Sequence, residues 1–203
     1  MKIMLALLSS VTLVSVVILS SCNGNNTSSN TASTDSTSID NGGYPDAVAY
    51  GRHLVEIVGC NDCHTPKKMT PMGPVPDTML MLSGHPASMP APDVNRGEME
   101  GKGLAVTNDM TAWVGPWGVS YAANLTPDET GIGSWSEGQF IRAIREGKSK
   151  GLEGGRQLLP PMPWQDFALM KDNELKAIFA YLKSVKTVNN VVPPPVPPVT
   201  KHP

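Results

Sequence analysis

The stretch from residue 65 to residue 135 constrains the fold more than any other part of this 203-residue chain. It is dense in Gly and Pro, and it shows neither helical periodicity nor an alternating strand pattern. A structureless loop of that length is unusual in a compact domain. The sequence therefore predicts that something else holds this stretch, and wrapping around a bound cofactor is the arrangement we expect.

The composition also indicates a small core. Aromatic residues make up 5% of the chain, and Gly and Pro number 19 each. A small core with many loops often depends on a staple or a cofactor. The charge is nearly balanced, with 16 Lys+Arg against 18 Asp+Glu. This balance argues against nucleic-acid binding, because a nucleic-acid partner requires a basic surface.

The first 21 residues have the pattern of an export signal. Lys2 precedes an apolar run from Ile3 to Leu19, and two serines follow before Cys22. Leu19-Ser20-Ser21-Cys22 resembles the cleavage site of bacterial lipoproteins, in which Cys22 would become the first mature residue and carry the lipid. The alternative is an uncleaved anchor, since the run is nearly long enough to span a bilayer. Both interpretations predict a domain outside the cytoplasm and beside a membrane.

Composition divides the rest of the chain into a tether, one domain and a tail. Residues 22–44 are rich in Asn, Ser, Thr and Gly, which predicts a flexible tether. Residues 45–188 contain the periodic segments and form the predicted domain. Residues 189–203 are proline-rich, so we expect an extended strap or a disordered tail rather than a recognition peptide.

Three helices are predicted within the domain, because apolar residues recur at helical spacing in three segments. These segments are 45–58, 137–146 and 172–184. Gly59 ends the first helix, and Ser136 with Gln139 forms a capping box at the start of the second. Either Lys171 or Asp172 caps the third helix.

Cys60, Cys63 and His64 form the sequence CNDCH directly after the first predicted helix. A structural zinc site would need further Cys or His ligands at short spacing, and the chain has no second pair. A thioredoxin-type redox pair would lie in a βαβ context, which is absent from the sequence pattern. With Cys22 assigned to lipid, C-x-x-C-H in an exported protein predicts c-type haem attachment, in which each thiol adds to one vinyl group. His64 would then bind the iron through Nε2 as the proximal ligand, and its Nδ1–H would donate to a backbone carbonyl within 71–76.

Met162 is the predicted sixth ligand of the iron. It lies between Pro161 and Pro163, and prolines restrict the backbone so that such a loop can hold a side chain in one place. A thioether ligand suits a haem that carries electrons, because it raises the reduction potential. The competing ligands are Met89, Met99, Met110 and, as a second histidine ligand, His85.

Four residues near these motifs have simpler interpretations. Trp135 either borders the haem and donates its indole N–H to a propionate, or packs in the core. If it is not a ligand, His85 is interpreted as a surface loop histidine. Met79 and Met81 are interpreted as packing residues.

Four stretches resemble class I c-type cytochromes, and within them the bacterial cytochromes related to the haem subunits of membrane alcohol and aldehyde dehydrogenases. They are GCNDCHTP, NLTPDETGIGSWSEGQFIRAIREG, LLPPMPW and KDNELKAIFAYLKSV, and together they cover most of residues 46–187. The resemblance implies an all-α cytochrome c fold, with three or more helices around one covalent haem c. Multi-haem relatives carry two or three C-x-x-C-H motifs, whereas this chain carries one. Residues 66–123 would be a long, loop-rich insertion in that fold.

The resemblance also implies roles for particular residues. Cys60 and Cys63 would form the thioether bonds, with His64 and Met162 as the proximal and distal iron ligands. The first and last helices would cross, and Gly51 would allow the first helix to approach the 177–181 face of the last.

Together these features predict an electron carrier with a single haem, anchored by lipid on the outer side of a bacterial membrane. We expect no enzymatic activity of its own, because a six-coordinate iron has no open position. The expected partners are a dehydrogenase or quinol-oxidising complex on one side, and a terminal oxidase or another cytochrome on the other. Two alternatives are a five-coordinate haem enzyme with peroxidase-like or small-gas chemistry, and a fixed haem subunit of a larger respiratory or dehydrogenase complex.

Overall fold

The structure is a computed structural model, and it describes residues 40–199. The predicted export signal, the lipid site at Cys22 and most of the predicted tether lie outside the described residues. In the part of the chain that is described, no helix has the length and apolar character needed to cross a membrane.

The predicted all-α fold is wrong, because residues 40–199 form a mixed α/β structure with six α-helices and two antiparallel sheets. The helices are α1 (Ala47–Ile57), α2 (Cys60–His64), α3 (Arg96–Gly101), α4 (Glu137–Arg145), α5 (Trp164–Phe167) and α6 (Asp172–Ser184). The strands are β1 (Lys67–Thr70), β2 (Gly73–Pro76), β3 (Val106–Thr107), β4 (Ala112–Gly115) and β5 (Gly118–Tyr121).

The three predicted helices are confirmed as α1, α4 and α6. The capping box at the start of α4 is present, since Ser136 Oγ accepts the Gln139 N–H at 3.2 Å and the Gln139 side chain accepts the Ser136 N–H at 3.0 Å. The cap of α6 is Lys171, whose N–H donates to the Glu174 carboxylate at 2.6 Å. The start of α4 follows from local side-chain bonds to the backbone, which is why the sequence could predict it, whereas the sequence left the cap of α6 open between Lys171 and Asp172.

Helices α1 and α6 cross at close range around Gly51. A Cβ atom placed on Gly51 would lie 1.8 Å from the Ala177 carbonyl oxygen and 2.9 Å from Tyr181 Cβ. Any side chain at this position would therefore force the helices apart. The predicted approach of Gly51 to this face of α6 is confirmed. The buried core beside the crossing consists of Leu54, Val55, Leu82, Ile132, Phe140, Ala177, Ile178 and Leu182.

The segment 65–135, which the sequence presented as an irregular wrap, contains both sheets. β1 and β2 form a hairpin, and β3, β4 and β5 form an antiparallel sheet in that order. Each strand has four residues or fewer, so no strand is long enough to show clear alternation. Gly73 and Gly118 begin β2 and β5 with φ angles of 110° and 95°, conformations that favour glycine. The Gly and Pro content that indicated a loop thus belongs in part to hairpin turns.

The proline-rich tail folds back on the domain as a strap. Val196 pairs with Val119 at the edge of β5 through two backbone hydrogen bonds of 2.8 and 3.0 Å. The Val199 N–H donates to the buried Glu100 carboxylate at 2.7 Å, and Arg96 pairs with the other oxygen of Glu100 at 3.0 Å. The tail therefore covers the edge of the three-stranded sheet, where unpaired backbone groups would otherwise be exposed.

Candidate cofactor site

Helix α2 carries all three residues of the C-x-x-C-H motif. Gly59, with φ of 73°, reverses the chain between α1 and α2, so that α2 starts at Cys60. Cys60 and Cys63 are three residues apart on this helix and therefore lie on the same side of it. Both side chains are half-buried and neither forms a disulfide, and Cys60 packs against the core. Two thiols are thus presented together, with His64 directly after the second.

The environment of the two thiols does not suit a reactive redox pair. Burial raises the pKa of Cys60 to about 12, and burial also raises the pKa of Cys63. Redox-active and nucleophilic cysteines have a lowered pKa, because the thiolate is the reactive form. At neutral pH these two side chains are therefore thiols.

The imidazole of His64 is held in one orientation by the backbone. Its Nδ1–H donates to the carbonyl oxygen of Ala123 at 2.7 Å. The carbonyl only accepts, so the proton is on Nδ1 and the Nε2 lone pair is left available. Burial lowers the pKa of His64, and the bond to Ala123 only partly opposes this. The side chain is therefore a neutral imidazole at neutral pH, which is the form that binds metals.

The predicted acceptor for His64, a carbonyl within 71–76, is wrong. Residues 73–76 are β2 of the hairpin, whereas Ala123 follows the last strand of the three-stranded sheet. The sequence contained no signal for this contact, because every residue has a carbonyl and the choice depends on how the insertion folds.

The insertion also holds the backbone around the C-terminal end of α2. The Gly84 N–H donates to the His64 carbonyl at 2.8 Å, and the Leu82 N–H donates to Thr65 Oγ1 at 2.9 Å. Lys67 adds a side chain that sequence reasoning missed, and its ammonium donates to the Thr65 carbonyl at 2.7 Å. A basic residue directly beyond a helix C-terminus is the signal that could have indicated this role.

Met162 is half-buried in the loop that precedes α5. The carbonyl of Pro160, two residues earlier, accepts the Ser120 hydroxyl at 2.6 Å. Ser120 is three residues before Ala123, and three residues of extended chain span roughly 10 Å. The segment 120–123 therefore hydrogen-bonds both to the His64 imidazole and to the loop that carries Met162. Met162 as an iron ligand stays a prediction, and the helix α5 directly after it was not predicted.

The competing residue His85 is fully buried, so its interpretation as a surface histidine is wrong. Its Nδ1 is 2.8 Å from Thr111 Oγ1, and its Nε2 is 2.8 Å from the Met89 carbonyl oxygen. Both ring nitrogens are engaged, which disfavours His85 as an iron ligand. Another competing residue, Met110, is 38% exposed, and its own backbone has a φ of 66°.

The sequence also led to interpretations of Met79, Met81 and Trp135. Met79 and Met81, interpreted as packing residues, are 60% and 39% exposed, so that interpretation is wrong. Trp135 is partly buried and packs against the core cluster. A contact of Trp135 with a haem propionate stays a prediction.

The donors around α2 fit a covalent haem. Within residues 40–199, no group of three or more His, Cys, Asp or Glu side chains is placed to hold a metal ion. The site instead combines two free thiols on one side of a helix with one neutral imidazole. The thioether bonds of a c-type haem need the thiols, and its iron needs the Nε2 lone pair.

No protein-family model matches the chain. It is similar to a subunit of nicotinate dehydrogenase from Pseudomonas putida, with 40% identity over 101 residues, which is 49% of this chain and 8% of that protein. It is also similar to the cytochrome c subunit of gluconate 2-dehydrogenase from Pantoea cypripedii, with 42% identity over 67 residues, or 32% of this chain and 14% of that protein. The cytochrome subunit of fructose dehydrogenase from Gluconobacter japonicus is 30% identical over 140 residues, or 55% of this chain and 27% of that protein.

These matches cover between 8% and 27% of the length of the relatives. Within that limit, the chain is similar to cytochrome c subunits of bacterial dehydrogenase complexes. The predicted resemblance to cytochrome subunits of bacterial dehydrogenases is confirmed to that extent.

Proposed function

We propose that this chain is an electron-transfer protein that holds one haem c covalently through Cys60 and Cys63, with His64 and Met162 as iron ligands. The observation that carries the proposal is the fixed His64 imidazole on the helix that presents both thiols. Its Nδ1–H donates to the Ala123 carbonyl, which leaves the Nε2 lone pair as the ring atom that can bind a metal. The similarity to cytochrome c subunits supports the same function.

The bound haem would supply a one-electron centre, and the chain's own residues hold and tune it. The two thiols would fix the ring to α2, and the Ala123 carbonyl sets the tautomer and the orientation of the His64 imidazole, the proposed proximal ligand. With His64 and Met162 both bound to it, the iron would have no open position, so we propose a carrier rather than an enzyme.

We propose further that the chain is exported and lipid-anchored through Cys22 at the outer face of a bacterial membrane. The support is the sequence pattern of residues 1–22, with one lysine, an apolar run and small residues before the cysteine. This location would place the domain where electrons pass between membrane complexes.

The partner on the donor side is, in this proposal, a dehydrogenase complex. The names of the relatives favour a haem subunit fixed in such a complex over a freely diffusing carrier, because they are dehydrogenase subunits. Detergent extraction of the native membrane followed by size separation distinguishes the two forms. A fixed subunit elutes with a large assembly, whereas a free carrier elutes as a small protein and docks only transiently, as redox partners commonly do.

Replacement of Met162 by alanine tests the ligand assignment. We expect the oxidised protein to lose its methionine-to-iron charge-transfer band, and the reduced protein to bind carbon monoxide rapidly, because the distal position becomes open. The measurement is the visible spectrum of each redox state before and after exposure to the gas.

Met79→Ala is the matched control, since it removes a methionine that is 60% exposed. This variant should keep the band and should not bind the gas. Persistence of the band in Met162→Ala would show that another methionine is the ligand.

A further inference from the structure

The half-buried ammonium of Lys67 closes the C-terminal end of α2. It donates to the carbonyl oxygen of Thr65 at 2.7 Å and to the carbonyl of Asp62, and it reaches the Asn61 carbonyl at 3.5 Å. The Asn61 carbonyl also accepts the Thr65 N–H at 3.2 Å, whereas the bonds of Lys67 to the Asp62 and Thr65 carbonyls satisfy groups at the helix end that would otherwise need water. A fixed positive charge is thereby placed against the helix that carries the cofactor residues.

The Asp109 carboxylate of the insertion acts on the charge of Lys67, as does the Asp62 carboxylate of α2 itself. Burial lowers the pKa of Lys67, and the Asp109 carboxylate opposes this shift. Asp109 is only 8% exposed, and it accepts the Thr111 N–H at 3.0 Å and the Thr111 hydroxyl at 2.7 Å. Thr111 in turn lies 2.8 Å from the ring of the buried His85. The carboxylate is therefore held in place by a buried network of the insertion.

The next residue along the chain, Lys68, has the same charge in a different environment. Its side chain is 61% exposed and forms an ion pair with Asp77 at 2.9 Å. Among the described residues, Lys68 makes no hydrogen bond to α2. Water and salt screen an exposed charge far more than one that is partly buried.

We propose that Lys67 is a positioning residue that raises the reduction potential of the haem on α2, and that Asp109 lowers it. This inference rests on the proposed function. The reduced centre has gained one electron from its donor, a dehydrogenase in the proposed function, and so carries one positive charge less than the oxidised centre. A fixed cation beside the cofactor therefore stabilises the reduced state, and a fixed anion stabilises the oxidised state. The insertion thus contributes the charges that tune the cofactor as well as the backbone that holds it.

The test is a spectroelectrochemical titration of the full-length, haem-loaded protein and four variants. Lys67→Met should shift the midpoint potential to lower values, and Lys68→Met should shift it several-fold less. Lys67→Arg retains the charge and should restore most of the potential. Asp109→Asn removes the negative charge at nearly constant shape and should shift the potential to higher values.

Thermal unfolding of the same proteins distinguishes an effect of the Lys67 charge on the reduction potential from a purely structural role of Lys67. Equal potentials in Lys67→Met and Lys68→Met would overturn the proposal, even if Lys67→Met unfolds at a lower temperature. If Lys67→Met fails to load haem, the potential of Asp109→Asn is the deciding measurement, because this variant leaves the hydrogen bonds of Lys67 in place. An unchanged potential in Asp109→Asn would also overturn the inference. An absence of covalent haem in the unmodified protein would contradict the proposed function itself, and the inference with it.

Discussion

Replacement of both Cys60 and Cys63 by serine is expected to abolish covalent haem attachment. Each thiol forms one of the two bonds to the ring, and a serine hydroxyl does not add to a vinyl group under the same conditions. Haem would then be lost when the variant is denatured. The measurement is the intact mass of the denatured protein, together with haem staining of a denaturing gel.

The third cysteine, Cys22, provides the matched control. A Cys22→Ser protein loses the proposed lipid site but keeps both thiols of α2, so it should still retain haem through denaturation. Each single replacement within α2 should leave one thioether bond and a shifted absorption band. Retention of covalent haem in the double variant would contradict the assignment of these residues.

The second large effect is expected at Gly51. A new Cβ atom in Gly51→Ala would lie 1.8 Å from the Ala177 carbonyl oxygen, which belongs to a helix backbone and cannot rotate away. Helices α1 and α6 would have to separate, and overpacking of this kind costs about 3 kcal/mol. We expect a corresponding loss in the free energy of unfolding, measured by urea denaturation followed by circular dichroism.

Gly138→Ala in α4 is the control for the helix propensity of alanine. The nearest atom to a Cβ at Gly138 is Ser136 Oγ at 4.0 Å, so there is room for the methyl group. This variant should be neutral or more stable by up to about 1 kcal/mol. A Gly51→Ala protein as stable as the unmodified chain would show that the two helices are not closely packed at this point.

Helices α1, α4 and α6 could be predicted because their signals are local. The Ser136–Gln139 capping box and the apolar spacing of α6 are properties of neighbouring residues, and both are confirmed. The strands of the insertion could not be predicted in the same way. Two to four residues per strand, with Gly and Pro at the turns, resemble a loop until pairing partners are known.

The site shows the same division between local and distant information. Cys60, Cys63 and His64 are recognisable because they are adjacent in sequence and lie together on α2. The Ala123 carbonyl, 59 residues from His64, offers no side chain to recognise. His85 was misjudged for a related reason, because its burial depends on Thr111 and the Met89 carbonyl. These contacts arise only when the sheets form.

The visible spectrum of the purified protein tests most directly whether α2 holds one covalent haem with two protein ligands. We expect one covalently bound haem per chain, a methionine-to-iron charge-transfer band in the oxidised state, and no rapid binding of carbon monoxide in the reduced state. A protein without covalent haem, or one with haem whose reduced form binds carbon monoxide at once, would contradict this expectation.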